Sequence, residues 1–97
     1  MALLDLLGRR WAMGIIWCLA ESEPSTFRAL QEACESISPT MLNQRLKELK
    51  AALLVDTTDQ GYVLTALGQR VYGDLVPLGA TAKAWADELR SQPQPGR

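Results

Sequence analysis

Between Ile37 and Leu53 the chain reads I-S-P-T-M-L-N-Q-R-L-K-E-L-K-A-A-L, and its apolar positions keep a helical period. Leu42, Leu46, Leu49 and Leu53 recur at steps of four, three and four, which is one stripe of an α-helix. Thr40, Gln44 and Lys47 fall on the opposite side, with Asn43 and Lys50 on its shoulder. Ser38 and Pro39 open the helix: a serine oxygen can take an orphan N–H of the first turn, and proline at the first helical position forfeits no hydrogen bond. Upstream, Phe27, Ala29, Leu30, Ala33 and Cys34 are the apolar positions of a short helix from Phe27 to about Ser36, capped by Ser25 or Thr26 after the Pro24 turn. Only Ile37-Ser38 separates the two helices, so they must cross steeply, as in a helix-turn-helix.

The flanking segments extend this pattern. Leu3 to Ala20 is predicted helical, with Gly8 a candidate interruption. Leu4, Leu7, Trp11, Ile15 and Cys18 make one stripe, but from Trp11 onward Ala12, Met13, Gly14, Ile16, Trp17, Leu19 and Ala20 complete an apolar wheel. A helix apolar all round must be covered all round, and a domain this small can hardly enclose its own helix, so a second subunit is expected over it. The alternative is that Ile16 and Trp17 touch only the domain's later helices. After Leu53, the segment Leu54 to Thr58, the turn Asp59-Gln60-Gly61 and the segment Tyr62 to Leu64 predict a β-hairpin. Thr65 caps a last helix with Leu67, Val71, Leu75, Leu78, Ala82, Trp85 and Leu89 along one side, and Gly73 with Pro77 predicts a kink or break inside it. Residues 92–97 have nothing to bury and are expected to be disordered. The fold class is therefore mainly α with a small β-hairpin (α+β), a single winged helix-turn-helix domain over residues 1–91.

Composition narrows the chemistry. The 97 residues carry a net charge of −1, so attraction to nucleic acid or an anionic surface must come from a local patch. There is no histidine, and Cys18 and Cys34 have neither metal-ligand spacing nor the look of a disulfide framework. Cys18 lies on a core stripe, and Cys34 ends a helix rather than starting one, where a thiolate would be favoured. With no activated nucleophile pattern and no glycine-rich phosphate loop, an enzyme is not expected, nor a metal or cofactor. Arg9 and Arg10 follow the first apolar run, the reverse of a secretion signal, and they break it well short of a membrane span. A cytoplasmic protein with no membrane partner is the expectation.

The polar face of the second helix has the chemistry of a major-groove reader. Asparagine and glutamine can pair with adenine, and lysine serves guanine or phosphate. A merely solvated face is the alternative. Arg45 lies toward the apolar edge, where a nearby carboxylate can pair with it, and Lys50 reads as a rim charge.

Several runs together resemble the HxlR-type transcriptional regulators of the MarR-like superfamily. They are L-L-G-R-R-W from Leu6, F-R-A-L from Phe27, I-S-P-T-M-L-N-Q-R-L-K-E-L from Ile37, L-L-V from Leu53 and Y-V-L-T-A-L-G from Tyr62, with Trp85 near the end. The likeness covers most of residues 3 to 89. It implies a bacterial regulator that binds double-stranded DNA as a homodimer, paired through its N- and C-terminal helices, with recognition helix 39–52 in the major groove. By position, Ser38, Pro39, Thr40, Asn43, Gln44 and Lys47 would face DNA, and Arg28 would lie near a phosphate. Leu3, Leu7, Trp17, Leu78, Trp85 and Leu89 would form the dimer seam. The chain departs from the pattern in three places. Its hairpin carries Asp56 and Asp59 and no basic residue, which should repel phosphate. The stretch from Gly68 to Trp85 is about a helical turn longer than expected, implying a rearranged seam. No cysteine precedes the first tryptophan, so thiol-based sensing there is unsupported. Trp11, Trp17 and Trp85 are read as core or seam, with an aromatic pocket for a small effector as the alternative. The second functional reading is a winged-helix dimer used for protein–protein contact, with DNA binding weak or lost.

Overall fold

The first apolar segment folds as two helices. In the computed structural model, which describes residues 2–93, α1 (Ala2–Leu7) ends at Gly8 and α2 (Ala12–Ser22) starts after Trp11, whose φ of 77° is left-handed. That turn resets the helical phase, so Leu6 and Leu7 enter the core while Leu4, on the predicted stripe, is exposed. The chain also covers more of α2 than its apolar wheel led us to expect. Ala12, Ile15, Ile16 and Leu19 are fully buried within one chain, and Trp17 stands edge-on to Tyr72 of the last helix at 5.2 Å between ring centroids. Met13 and Gly14 remain exposed. The sides of α2 are shared among neighbours before and after it in the fold, which is how a small domain encloses most of a helix without a second subunit.

Hydroxyl groups set the later helix starts. Thr26 Oγ1 accepts from the Ala29 N–H (3.1 Å) at the head of α3 (Phe27–Ala33). Ser38 Oγ accepts from the Met41 N–H (3.0 Å) at the head of α4 (Pro39–Ala51), with Pro39 in the first turn. Each cap satisfies an otherwise orphaned donor, worth about 1 kcal/mol. Leu42, Leu46 and Leu49 of α4 are buried, each stabilising the fold by about 2 kcal/mol. The stripe does not run on to Leu53. The helix has ended, Leu53 takes a φ of 65°, and its side chain is 67% exposed, while Leu54 enters the core instead.

The hairpin pairs β1 (Val55–Thr58) with β2 (Gly61–Leu64), antiparallel, in the register Val55↔Leu64 to Thr58↔Gly61. It is tied to the body at its outer edge. Ser25 exchanges two backbone hydrogen bonds with Tyr62 (3.0 and 2.7 Å), and the Glu23 carboxylate accepts from the Leu64 N–H (2.7 Å). Gly61 has a φ of 134°, and a side chain there would run into the Ser25 carbonyl, so both backbone angle and close approach demand glycine.

Thr65 Oγ1 accepts from the Gly68 N–H (3.0 Å) and opens α5 (Ala66–Ser91). The predicted kink or break at Gly73 and Pro77 does not divide it: α5 is one helix of 26 residues. Both residues are exposed, so the Gly73 carbonyl left without its helical donor faces water rather than core. Val71 and Leu75 join the core, but beyond them the helix leaves the body, and Leu78, Trp85 and Leu89 are exposed. This projection gives the chain its extents of 56 × 26 × 25 Å. Gln92 closes α5 through its N–H to the Leu89 carbonyl (3.3 Å); the rest of the expected disordered tail, residues 94–97, lies outside the described residues. Cys18 and Cys34 are free thiols with sulfurs 4.0 Å apart, and burial, then the neighbouring Cys18, pushes the Cys34 thiol up to about 12.

Gly68 is buried where α5 meets the α4–β1 junction, and a methyl there would press on the Leu54 carbonyl oxygen, which already accepts from the Thr65 N–H (3.0 Å). Gly68→Ala should therefore lower stability in urea unfolding by about 3 kcal/mol, since backbone must move to admit it. A loss under about 0.5 kcal/mol would show that this contact gives way freely.

Candidate nucleic-acid interface

The burial of Leu42, Leu46 and Leu49 turns the other face of α4 outward. Thr40, Asn43, Gln44 and Lys47 are all exposed, as are Ser38 and Pro39 at its head. Ser38 Oγ is engaged as the cap, leaving its hydroxyl proton to donate. Asn43, Lys47 and Lys50 border a shallow cleft of about 230 Å³ between α4 and the hairpin, closed on the far side by Thr57 and Tyr62. Lys50 Nζ donates to Thr57 Oγ1 (3.1 Å), so this lysine bridges helix and wing rather than standing free as a rim charge. Tyr62 was not legible as a site residue, because only the register of the hairpin places it beside α4.

Arg28 lies in the first turn of α3 with its side chain 89% exposed, 3.6 Å from the Glu32 carboxylate. An exposed pair of this kind contributes little and leaves the guanidinium available. On the wing, the Asp56 carboxylate turns back to accept from the Thr57 N–H (2.8 Å), and Asp59 is exposed at the tip.

Behind the polar face sits Glu48. Its Oε2 accepts from Gln44 Nε2 (2.9 Å) and pairs with Arg9 Nη1 (2.8 Å); its Oε1 pairs with Arg45 Nη1 (3.1 Å). Arg45 Nε also donates to the Arg10 carbonyl (2.9 Å), and the Arg10 guanidinium stacks over Trp11 at 5.2 Å. The α1–α2 turn is thereby fastened to the middle of α4. The carboxylate expected near Arg45 is Glu48, three residues on. Spacing alone could have shown its pairing with Gln44 and Arg45, but not the approach of Arg9.

The proposed seam residues divide. Leu7 is buried in the chain's own core and offers little to a second subunit. Trp17 is half-buried and, with Leu78 and Gly79, borders an apolar groove of about 190 Å³ between α2 and α5. Leu3 is exposed at the rim of a second apolar cavity, of about 370 Å³, enclosed by α1, the α4–β1 junction and α5. Trp85 and Leu89 stand exposed farther along α5, and Trp11 is half-buried. No helix of the described residues is long and apolar enough to cross a membrane.

The hydrogen bond from Gln44, opposed by partial burial and aided by Arg9 and Arg45, holds the Glu48 carboxyl below its ordinary value of 4.5. A group whose folded pKa is depressed adds stability above its unfolded pKa and loses it as pH falls toward the folded one. The stability difference between the wild-type chain and Glu48→Gln, read by urea unfolding, should be largest at neutral pH and shrink as pH drops below 4.5. A difference independent of pH would remove the carboxylate from the account.

Comparison with known proteins places this geometry. The family model described as HxlR-like helix-turn-helix matches residues 6–90. A helix-turn-helix-type transcriptional regulator of Halalkalibacterium halodurans is 42% identical over 52 residues, covering 54% of this chain and 46% of that protein, so the match spans about half of the relative. A possible HxlR family transcriptional factor from Thermoplasma volcanium superposes with a TM-score of 0.80 at 30% identity, over 88% of this chain and 82% of that one. Quinone-bound YodB from B. subtilis superposes with a TM-score of 0.73 at 34% identity, over 90% and 93% of the two chains. The overall fold is thus shared with these proteins, and the chain belongs to the HxlR-like helix-turn-helix family.

Proposed function

We propose that the chain is a cytoplasmic bacterial transcriptional regulator that binds double-stranded DNA sequence-specifically as a homodimer, with α4 laid in the major groove. The observation that carries the reading is the division of α4. Its leucines are buried, its N-terminus is capped by Ser38, and Thr40, Asn43, Gln44 and Lys47 stand exposed along one helical face. Arg28 and the head of α4 at Ser38 and Pro39 flank that face and serve phosphates. The relatives named above, described as transcriptional regulators, agree with it.

Pairing is argued from α5. Among the described residues, Leu78, Trp85 and Leu89 of its distal half are exposed. A helix end of that length is marginal in water without packing, and a second copy would bury it. A two-fold pair would set its recognition helices about 34 Å apart and read a pseudo-palindrome. The aliphatic cavity of about 370 Å³ beside α1 and α5 has room for a small apolar effector. It lies next to the expected seam, where occupancy could shift the pairing of the two copies.

A second reading, a winged-helix dimer for protein–protein contact, draws on the wing, where Asp56 and Asp59 are exposed without a lysine or arginine on either strand. A gel shift against pooled genomic fragments separates the two: retarded complexes at low salt are expected, and their complete absence favours protein contact.

Lys47→Ala should weaken DNA binding and lower the dependence of log K on log salt by roughly one, with stability changed by less than about 0.5 kcal/mol. An unchanged salt slope would take Lys47 off the phosphate backbone. Trp85→Glu should give a folded monomer by light scattering, because it places a charge on the uncovered end of α5. A clean dimer of that variant would move the seam elsewhere.

A further inference from the structure

Gln44 is not a free amide. Its Nε2 donates to Glu48 Oε2 at 2.9 Å, while its Oε1 has no partner among the described residues. Glu48 is itself held. Its side chain is 17% exposed and is fixed from the other side by Arg9 (2.8 Å) and Arg45 (3.1 Å), the latter anchored to the Arg10 carbonyl. A planar amide directs its two arms about a trigonal angle apart, so committing one of the nitrogen's two N–H groups to Glu48 fixes the flip of the group and leaves the oxygen as the arm without a partner. In the major groove, adenine and cytosine present amino donors, whereas guanine and thymine present acceptors and a methyl group.

We propose that Glu48 is a positioning residue that sets the base preference of Gln44: it holds the amide so that Oε1 faces the groove and selects a base carrying an amino group, adenine or cytosine. The inference rests on the DNA-binding reading of α4 and adds the chemical class of base that this position takes. It also assigns a purpose to the Arg9–Glu48–Arg45 cluster, which neutralises the carboxylate behind the reading face and ties its position to the α1–α2 turn rather than to α4 alone.

The test is selection of bound duplexes from random DNA by the full chain and its variants, scored base by base. With the wild-type protein, one position in each half-site should favour adenine or cytosine by about fivefold or more, the lower range for one base-reading side chain. Gln44→Ala should flatten that position and identify it. Glu48→Ala should flatten the same position and leave the others intact, whereas Glu48→Gln, which gives up the ion pairs but can still accept from Gln44, should keep the preference. Glu48→Gln also tests the idea if Glu48→Ala fails to fold. Unchanged preference in Glu48→Ala, uniform flattening at every position, or loss of the amino-base preference in Glu48→Gln would each overturn the proposal. No enrichment by the wild-type chain would overturn the DNA-binding reading first, and this one with it.

Discussion

Burial of three leucines on one side of α4 is the constraint from which the rest of the molecule takes its arrangement. Leu42, Leu46 and Leu49 together remove enough apolar surface from water to hold the helix against the body by roughly 6 kcal/mol. Rotating α4 to hide its polar face instead would expose those leucines and bury Asn43, Gln44 and Lys47 without partners, a change unfavourable on both counts. The outward orientation of the polar residues is therefore a consequence of the core, requiring no interaction of their own. The serine cap and the proline at its head fix where this helix begins, and so which residues stand nearest its positive end.

Two further elements hold α4 in place from its flanks. On one side the hairpin leans against it through Lys50 and Thr57, and is in turn fixed by Ser25 and Glu23 from the segment before α3. On the other, Arg9 and Arg45 pair with Glu48, and Arg45 is anchored to the Arg10 carbonyl. Individual ion pairs at a surface contribute little, but here two guanidinium groups and an amide share one carboxylate in a partly buried setting, which favours a single geometry. The reading face is thus braced on both edges by residues that are not on it. An acidic wing is compatible with this bracing, since Asp56 accepts from a local backbone N–H and Lys50 holds the neighbouring Thr57.

The last helix divides the molecule's needs between its two halves. Up to Leu75 it serves the core; past that point it carries apolar side chains into solvent. Of the apolar surface expected to lie uncovered, that of distal α5 is exposed, while that of α2 is reduced to Met13 and part of Trp17. The apolar wheel of α2 is mostly enclosed by its own chain, because the Gly8–Trp11 turn lets α1 fold back and the hairpin and α5 close over the other sides.

Periodicity and capping chemistry were sufficient to read the order of elements, the polar face of α4, the Ser38 and Thr65 caps and the hairpin turn, and to narrow the α3 cap to Ser25 or Thr26, because each depends on residues within a few positions of one another. The same local rules could not decide the phase after a left-handed residue, and so assigned Leu4 and Leu53 to stripes they leave. Of the kink or break expected at Pro77 the break does not occur, because the lost hydrogen bond falls on an exposed helix face. Tyr62 at the cleft, Arg9 at Glu48 and Trp17 against Tyr72 emerged only in three dimensions. Their partners are distant along the chain, and long-range neighbours are settled by how helices pack, not by the spacing of side chains within any one of them.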